Sequence, residues 1–330
     1  MKTPSFCWIV SLTATLALGG TPVASAAMYE WDFTDGNLDA NIGVGLLTYS
    51  GETEDLTTFG LTDGVTFPNI DGVPARYMSY PKWPDGPDDK ALGYNLEFTA
   101  SGPNGGGVYI NQFTFIFDVY LPGAVDWTPF FNTNPENAND ADWYVAPDGA
   151  LGIGGLGYSV PGTIAGDTWY RLGFTADLGA GDVRYYVDGV KVHTRLGGSL
   201  LDGRFSLYSN VDPGPDVRLG NEGDTSGNYT HATVFSAVAF MDRTFTDADF
   251  AVLGGPKAAG IFPGSVFQKL QIQETDGLVV VTWTGAPNLQ LQRATRLGPA
   301  DWDDLTETLG ESAWSEPIAD GPAYFQLIAK

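Results

Sequence analysis

The sequence predicts an all-β fold, because turn-forming residues are abundant and apolar residues alternate along the chain. Of 330 residues, 43 are Gly and 21 are Pro, and both types interrupt helices and favour turns. Asp-Gly pairs such as Asp148-Gly149 and Asp188-Gly189 recur, and this dipeptide favours tight hairpins because both positions need positive φ. With 43% hydrophobic residues, the chain can bury a sizeable core. We therefore expect folded sheets joined by short turns.

The charge balance limits the classes of partner. The chain has 40 acidic and 16 basic residues, which gives a formal net charge of -24. Such a surface repels phosphate groups, and no basic stripe interrupts the acidic field. We therefore expect no nucleic-acid partner and no attraction to anionic membranes.

The first 26 residues have the pattern of a secretory signal peptide. Lys2 gives a short positive start, residues 6–18 are apolar, and Ala24-Ser25-Ala26 matches an A-x-A cleavage site. Cleavage before Ala27 removes Cys7, the single cysteine. The apolar run is too short for a permanent span, so we predict an extracellular or periplasmic protein with no transmembrane segment. Without disulfides, core burial must hold the exported chain together, and a bound hard cation is the candidate supplement.

Alternating residues mark the strands of the main body. In residues 109–121, Phe113, Phe115 and Phe117 share one face, whereas the other face is mixed. The mixed face predicts a sheet that lines a groove or meets water. Alternation on both sides of Asp188-Gly189 predicts a hairpin. Further strands are predicted at 169–177, 205–209 and 234–241.

One helix and a change of composition follow the last of these strands. Thr246 can cap the helix, Asp249 stands three residues on as in a capping box, and Gly254 supplies a stop. Residues 255–265 are small, Gly-rich and Pro-rich, which predicts a linker. The tail, 266–330, is long enough for a small β domain.

Strands in the tail are predicted by alternation at 278–284 and 289–293. Trp283, Trp302 and Trp314 supply large apolar side chains for a core of its own.

Three stretches of the main body share the order and spacing of motifs in a known family. They are Asn104-Gly105-Gly106-Gly107 before the 109–121 strand, Thr168 to Leu172 with Tyr185 to Val190, and Phe240 to Asp249 closing at Leu253-Gly254-Gly255-Pro256. This part resembles the laminin G-like, concanavalin A-like lectin-glucanase domains of secreted bacterial proteins. The resemblance implies a jelly-roll sandwich over 27–254. It implies no single function, because this fold hosts lectins, adhesive modules, hydrolases and lyases. The tail is similar to small C-terminal β-sandwich modules of such proteins.

Catalytic motifs of this fold are missing from the sequence. Hydrolases of the fold carry E-x-D-x-x-E on one strand, and the acidic clusters at 52–55 and 222–224 are instead predicted to be solvated loops. The two histidines, His193 and His231, are isolated, and His193 is predicted to be an exposed strand residue. With two His and no Cys in the mature chain, we expect no zinc site built on protein ligands. An enzyme with an unrecognised site, a glycoside hydrolase or polysaccharide lyase, is the alternative.

The acids considered for that alternative are Asp118, Asp142 and Glu97. Asp118 lies on the less apolar face of the 109–121 strand, where clefts form in this fold.

A dense set of oxygen-bearing side chains in the loop 132–142 predicts a candidate calcium site. Calcium prefers six to eight oxygen ligands, although turn propensity alone also enriches such residues in loops. Asp242 is a second candidate, by analogy with the family alone. The candidate ligands of the first site are Asn132, Asn134, Asn137, Asn139, Asp140 and Asp142.

Aromatic residues surround the same loop. Trp127, Trp143, Tyr144 and Tyr158 are candidates for a sugar platform, since a pyranose has an apolar C–H face and a polar rim. The alternative is that Trp143 and Tyr144 begin the next strand and are buried. The sequence thus predicts a secreted, non-catalytic module that binds a polysaccharide, a cell-surface glycan or another surface ligand, with calcium as its candidate cation. A purely structural surface protein is a third hypothesis.

Overall fold

A computed structural model describes most of the chain after the predicted signal peptide. The residues it describes are 28–43, 45–83, 92–97, 103–133, 141–207, 217–221, 231–262, 271–275, 278–282, 289–295, 302–308, 313–317 and 323–329. They form two compact units, one ending at Phe262 and one beginning at Gln271. Both consist of antiparallel sheets, which confirms the all-β prediction.

The first unit has two short helices, α1 (Thr53–Leu56) and α2 (Asp247–Leu253). Its strands, within the described residues, are β1 (Met28–Trp31), β2 (Leu46–Ser50), β3 (Thr58–Leu61), β4 (Arg76–Tyr80), β5 (Gly93–Glu97), β6 (Gln112–Tyr120), β7 (Thr128–Asn132), β8 (Trp143–Val145), β9 (Leu151–Ile153), β10 (Gly157–Tyr158), β11 (Trp169–Asp177), β12 (Asp182–Val187), β13 (Val190–Arg195), β14 (Val217–Leu219) and β15 (Thr233–Met241).

These strands form two sheets that face each other across an aromatic core. The first sheet has the order β13-β12-β11-β6-β15-β4-β3, with β1 also paired to β15. The second has the order β10-β9-β8-β7-β14-β5-β2. Phe115 of the first sheet lies 4.7 Å from Phe131 of the second, between ring centroids, and Phe117 lies 5.4 Å from Phe130. The first unit is therefore a β-sandwich.

The centre of the first sheet follows the predicted alternation. β11 coincides with predicted strand 169–177 and pairs with β6 from Trp169↔Tyr120 to Asp177↔Gln112. β15 matches the prediction at 234–241. The predicted strand at 205–209 differs, because its described part makes only an isolated bridge between Leu207 and Ile110.

The outer face of the first sheet is covered, so the prediction of a groove-lining or wetted face was wrong. β6 and β15 are buried along almost their whole length. Phe250 of α2 stacks on Tyr186 with 3.8 Å between ring centroids. A Cβ on Gly173 would lie 2.2 Å from the Phe250 ring, so glycine lets the helix approach. The mixed side chains on the outer face of β6 therefore pack against other elements of the first unit.

The segment after α2 also packs on this face. Arg171 donates to the carbonyl oxygens of Leu253 at 3.0 Å and Gly260 at 3.1 Å. The Ile261 N–H donates to the Glu30 carboxylate at 2.6 Å. Residues 255–262 of the predicted linker are therefore attached to the sandwich, because buried polar groups of the sheet use this segment's backbone as partners. Residues 263–265 lie outside the described residues.

Local signals for turns and caps are confirmed. Asp188 and Gly189 have φ of 50° and 81° and join β12 to β13. Thr246 and Asp249 form a capping box at α2. The acidic cluster at 52–55 differs from the predicted loop, since Thr53–Leu56 forms one helical turn. The cluster at 222–224 lies outside the described residues.

The second unit consists of two three-stranded sheets in its described residues. Their orders are β16-β17-β20 and β19-β18-β21, built from β16 (Gln271–Thr275), β17 (Leu278–Thr282), β18 (Leu289–Ala294), β19 (Asp303–Asp304), β20 (Ala313–Pro317) and β21 (Tyr324–Ala329). Val279, Leu291 and Phe325 share a core, and Trp314 packs on Phe325. This confirms a β tail, while the domain boundaries remain a prediction.

Candidate functional site

A cavity opens beside β10, at one edge of the second sheet. Its volume is about 450 Å³. We call it the aromatic pocket, and its lining residues are Trp127, Ala146, Pro147, Asp148, Ala150, Tyr158, Ser159 and Pro161. Two of the four predicted ligand-binding aromatics, Trp127 and Tyr158, therefore lie in one pocket.

Three segments of the second sheet build the pocket. Trp127 immediately precedes β7, residues 146–150 connect β8 to β9, and residues 158–161 lead out of β10. Register aligns Tyr144 with Gly152 and Gly152 with Tyr158. Directly paired residues share one sheet face, so two tyrosines lie on one face with a residue lacking a side chain between them.

The β8–β9 turn holds one wall of the pocket through its backbone. The Gly149 N–H donates to the Ala146 carbonyl at 2.8 Å, and the Ala150 N–H donates to Oδ1 of Asp148 at 3.0 Å. Gly149 has φ of 75°, and a Cβ there would lie 2.3 Å from the Ile164 carbonyl oxygen. Only glycine tolerates both the positive φ and the close carbonyl oxygen, which explains the Asp-Gly pair at this position.

Hydrogen bonds tie this turn to the loop after β10. The Gly162 N–H donates to the Asp148 carbonyl at 2.8 Å, and the Ile164 N–H donates to the Gly149 carbonyl at 2.9 Å. Closer to the sheet, the Leu151 N–H donates to Ser159 Oγ at 2.9 Å. The two walls are therefore fixed relative to each other without a ligand, which lowers the entropic cost of binding one.

The orientation of Trp127 is set by Tyr144. The two rings meet edge to face, with centroids 5.7 Å apart and planes at 85°. Tyr144 is 2% exposed and its hydroxyl accepts the Ala141 N–H at 2.9 Å. Tyr144 thus supports the pocket from behind, whereas Trp127 and Tyr158 are only half-buried and present surface to it.

The polar lining of the pocket is sparse. Asp148 is exposed, with Oδ1 bound to the turn, and the Ser159 hydroxyl is engaged by the backbone. Among the described residues that line the pocket, there is one carboxylate and no Lys, Arg or His. The remaining surface comes from alanine, proline and aromatic side chains.

Trp143 lies in the core and is 0% exposed, as the buried alternative predicted. Its ring centroid is 5.2 Å from Phe130 and 5.6 Å from Phe174. Since neighbouring strand residues point to opposite faces, Trp143 points inward while Tyr144 points out toward Trp127. We therefore correct the assignment of Trp143 and Tyr144, which begin β8 and are both buried, from ligand binding to packing.

The described part of the candidate calcium loop is occupied by protein contacts. Asn132 and Asp142 are both buried. Oδ2 of Asp142 accepts from the Thr133 N–H at 2.7 Å and hydroxyl at 2.6 Å, and Oδ1 accepts from Arg204 at 3.0 Å. Burial raises the pKa of Asp142, and these partners oppose that shift. An arginine on the same carboxylate disfavours a cation there.

The other candidate calcium ligands are Asn134, Asn137, Asn139 and Asp140, which lie outside the described residues. No cluster of three or more His, Cys, Asp or Glu that could hold a metal occurs in the part of the chain that the structure describes. Asp242 is buried at the end of β15, and its carbonyl accepts the Asn104 amide at 2.7 Å. Calcium binding stays a prediction.

Asp118 does not pair with either of the other two acids considered for catalysis. Asp118 is 0% exposed on the outer face of the first sheet, where both its oxygens bind Arg171. Asp142 and Glu97 belong to the second sheet region, and Glu97 is exposed at the end of β5. Retaining glycosidase chemistry needs two carboxyl groups about 5 Å apart, and Asp118 is separated from the other two by the core.

Both histidines have backbone partners. His193 is half-buried rather than exposed, stacks on Tyr185 at 5.0 Å, and has Nε2 3.0 Å from the Leu156 carbonyl oxygen. The two ring nitrogens of His231 lie 2.6 Å and 3.0 Å from the carbonyl oxygens of Ala232 and Ala124.

Sequence reasoning missed Pro147, Asp148, Ser159 and Pro161 as pocket residues. The Asp148-Gly149 pair predicted a turn, but a turn motif does not indicate which pocket or surface the turn will border.

Comparisons with known proteins show only distant similarity. No protein-family model and no curated protein matches the sequence. Domain 4 of AbnA, a GH43 extracellular arabinanase from Geobacillus stearothermophilus solved with arabinotriose, is 16% identical, with 69% of this chain and 98% of that chain covered and a TM-score of 0.42. The CBM40 of Ruminococcus gnavus IT-sialidase, bound to alpha2,3 sialyllactose, is 15% identical, with 44% and 83% covered and a TM-score of 0.33.

The receptor binding domain of botulinum neurotoxin type G is 10% identical, with 92% of this chain and 81% of that chain covered and a TM-score of 0.41. At such identities and TM-scores, none of these structures assigns a ligand to this protein. Among the described residues, no helix is both long and apolar enough to cross a membrane.

Proposed function

We propose that the first unit is a non-catalytic carbohydrate-binding module of an exported protein, and that the aromatic pocket is its sugar site. The observation that carries the proposal is the convergence of Trp127 and Tyr158 on one cavity of about 450 Å³. Cavities of roughly 300–1,000 Å³ are typical of small-ligand sites. The sandwich is proposed to be of the laminin G-like, concanavalin A type that the sequence resembles.

The chemistry of the lining supports a sugar as ligand. Aromatic and proline side chains give apolar surface for the C–H face of a pyranose, while Asp148 offers acceptor oxygens to its hydroxyls. Hydrogen bonds between the two walls fix the pocket in advance. A pre-formed, mostly apolar site with few polar groups is the common form of a small-molecule site.

The experiment is a binding titration of the purified protein against a panel of soluble polysaccharides and oligosaccharides. Trp127→Ala and Tyr158→Ala are compared with Tyr49→Ala, which changes a half-buried tyrosine of β2 at the opposite edge of the same sheet. Stacking on one aromatic is worth about 0.5–1.5 kcal/mol beyond area burial. We expect each pocket variant to lose about tenfold or more in affinity and Tyr49→Ala to keep the parent affinity.

Three results would contradict the proposal. They are no binding across the panel, equal loss in the control and pocket variants, and release of reducing ends or unsaturated uronates, which would show an enzyme. Repeating the titration with EDTA and with added calcium tests the proposed calcium dependence separately. Detection of the protein outside the cytoplasm, cleaved before Ala27, tests the proposed export.

A further inference from the structure

We propose that the aromatic pocket selects neutral sugars and rejects those that carry a carboxylate, such as uronates and sialic acids. This inference rests on the proposed function and adds the chemical class of the ligand. It is carried by the charges of the residues that build the pocket.

The pocket wall carries a negative charge, and none of the described residues that line it is a cation. Asp148 is exposed on the wall, and no Lys, Arg or His is among the described residues that line the cavity. Asp126, half-buried, stands directly before Trp127, where its Oδ1 accepts the Trp127 N–H at 2.8 Å. A ligand carboxylate placed against the two aromatics would therefore approach one or two carboxylates and find no cationic partner.

The rest of the chain reinforces this local field. Acidic residues outnumber basic ones by 40 to 16. Recognition of a carboxylate sugar normally uses a cation, above all a bidentate arginine. The arginines nearest in sequence to the pocket are Arg171, which is engaged with Asp118, and Arg184, which is engaged with Asp182 and Asp247. Two like charges that approach each other at a surface repel, and salt weakens this repulsion.

Asp148 is suited to a neutral ligand in another way. The turn N–H of Ala150 uses Oδ1, and a carboxylate has about four lone-pair sites, so acceptor capacity is left for sugar hydroxyls. An ionised acceptor makes stronger hydrogen bonds to hydroxyl donors than a neutral one does. The same group therefore favours a polyol and opposes an acid.

The test compares a neutral polysaccharide that binds with the same polymer oxidised at C6, in which CH₂OH has become COO⁻. The two ligands differ in charge and little in shape. Affinities of the purified protein are measured at 20 mM and 500 mM NaCl. We expect the oxidised polymer to bind at least tenfold more weakly at low salt, and the ratio to shrink at high salt as the charges are screened.

Asp148→Asn identifies the source of the effect. Asn keeps Oδ1 for the Ala150 N–H and is itself favoured before glycine in this turn, so the fold of the wall is retained. The matched control is Asp35→Asn, an exposed acid beside Phe33, which packs on Phe59 of β3 at the far edge of the sandwich. We expect the affinity ratio to shrink in Asp148→Asn and to stay at the parent value in Asp35→Asn.

The outcomes separate this inference from the proposed function. Equal or tighter binding of the oxidised polymer overturns the charge selection while sugar binding stands. A ratio that shrinks equally in both variants also overturns it, since it would assign the effect to net charge instead of the pocket. If no glycan of either charge class binds, the proposed function fails and the inference fails with it, whereas binding of charged glycans alone overturns only the inference.

Discussion

The guanidinium of Arg171 binds both carboxylate oxygens of Asp118, with Nε and Nη2 each 2.6 Å from an oxygen. The two side chains are 1% and 0% exposed. The same guanidinium reaches the carbonyl oxygens of Leu253 and Gly260. One ion pair on the first sheet therefore attaches the end of α2 and the segment that follows it to the sandwich.

Breaking this pair from one side should be costly. Arg171→Met leaves the Asp118 charge buried without its partner, so we expect a loss of about 3–5 kcal/mol in the free energy of unfolding of the first unit. The double variant Asp118→Leu/Arg171→Met removes both charges and should recover much of that loss. Urea unfolding followed by tryptophan fluorescence measures both. An unfolding free energy of Arg171→Met within about 1 kcal/mol of the parent value would show that the ion pair does not stabilise the first unit.

Glu30 should make stability depend on pH. Burial raises the pKa of Glu30 from 4.5 to about 7, with Asp32 and Asp118 adding to the shift. Between these two values the folded state holds a proton that the unfolded chain has released, so stability falls as pH rises from about 4.5 to 7. A shift of this size corresponds to about 3 kcal/mol.

Glu30→Gln removes the titrating carboxyl group and with it this pH-dependent contribution to stability. We expect the difference in unfolding free energy between parent and variant to move in favour of the variant by about 3 kcal/mol between pH 4.5 and 8. Glu97→Gln, an exposed carboxyl on β5, serves as the control and should track the parent. A parent-minus-Glu30→Gln difference that is constant with pH would contradict the assignment.

Two glycines with the same backbone angle separate steric cost from backbone strain. Gly149 and Gly123 both have φ of 75°, but a Cβ at Gly149 would lie 2.3 Å from a carbonyl oxygen, and at Gly123 it would meet nothing within 4 Å. Gly123→Ala should cost about 1–2 kcal/mol, the left-handed penalty. Gly149→Ala should cost more and also weaken glycan binding, because the pocket wall must move. Equal losses of stability in thermal unfolding would rule out the clash.

Substitutions of two tryptophans should affect different properties, one mainly stability and the other mainly glycan binding. Trp143→Ala empties a core position and should cost about 3–5 kcal/mol. Trp127→Ala removes a half-buried side chain and should cost less in stability while it abolishes most of the glycan affinity. Denaturant unfolding and the glycan titration are run on both variants. A Trp127→Ala protein as unstable as Trp143→Ala would assign Trp127 to the core.

Local structure was determined by the sequence where neighbouring residues decide it. Alternation placed β11 and β15, the Asp188-Gly189 pair gave its hairpin, and Thr246 with Asp249 gave the capping box of α2. These signals act within a few residues, since a strand fixes which side chains share a face and a cap fixes where a helix begins.

Tertiary structure decided what each face meets. Alternation requires Trp143 and Tyr144 to point to opposite faces, but only the pairing of β7, β8 and β9 turns Trp143 into the core and Tyr144 toward Trp127. Likewise the polar face of β6 is compatible with water or with a partner, and α2, more than 120 residues later, supplies the partner. The pocket depends on contacts between turns that are separate in sequence, so composition and periodicity alone could not assemble it.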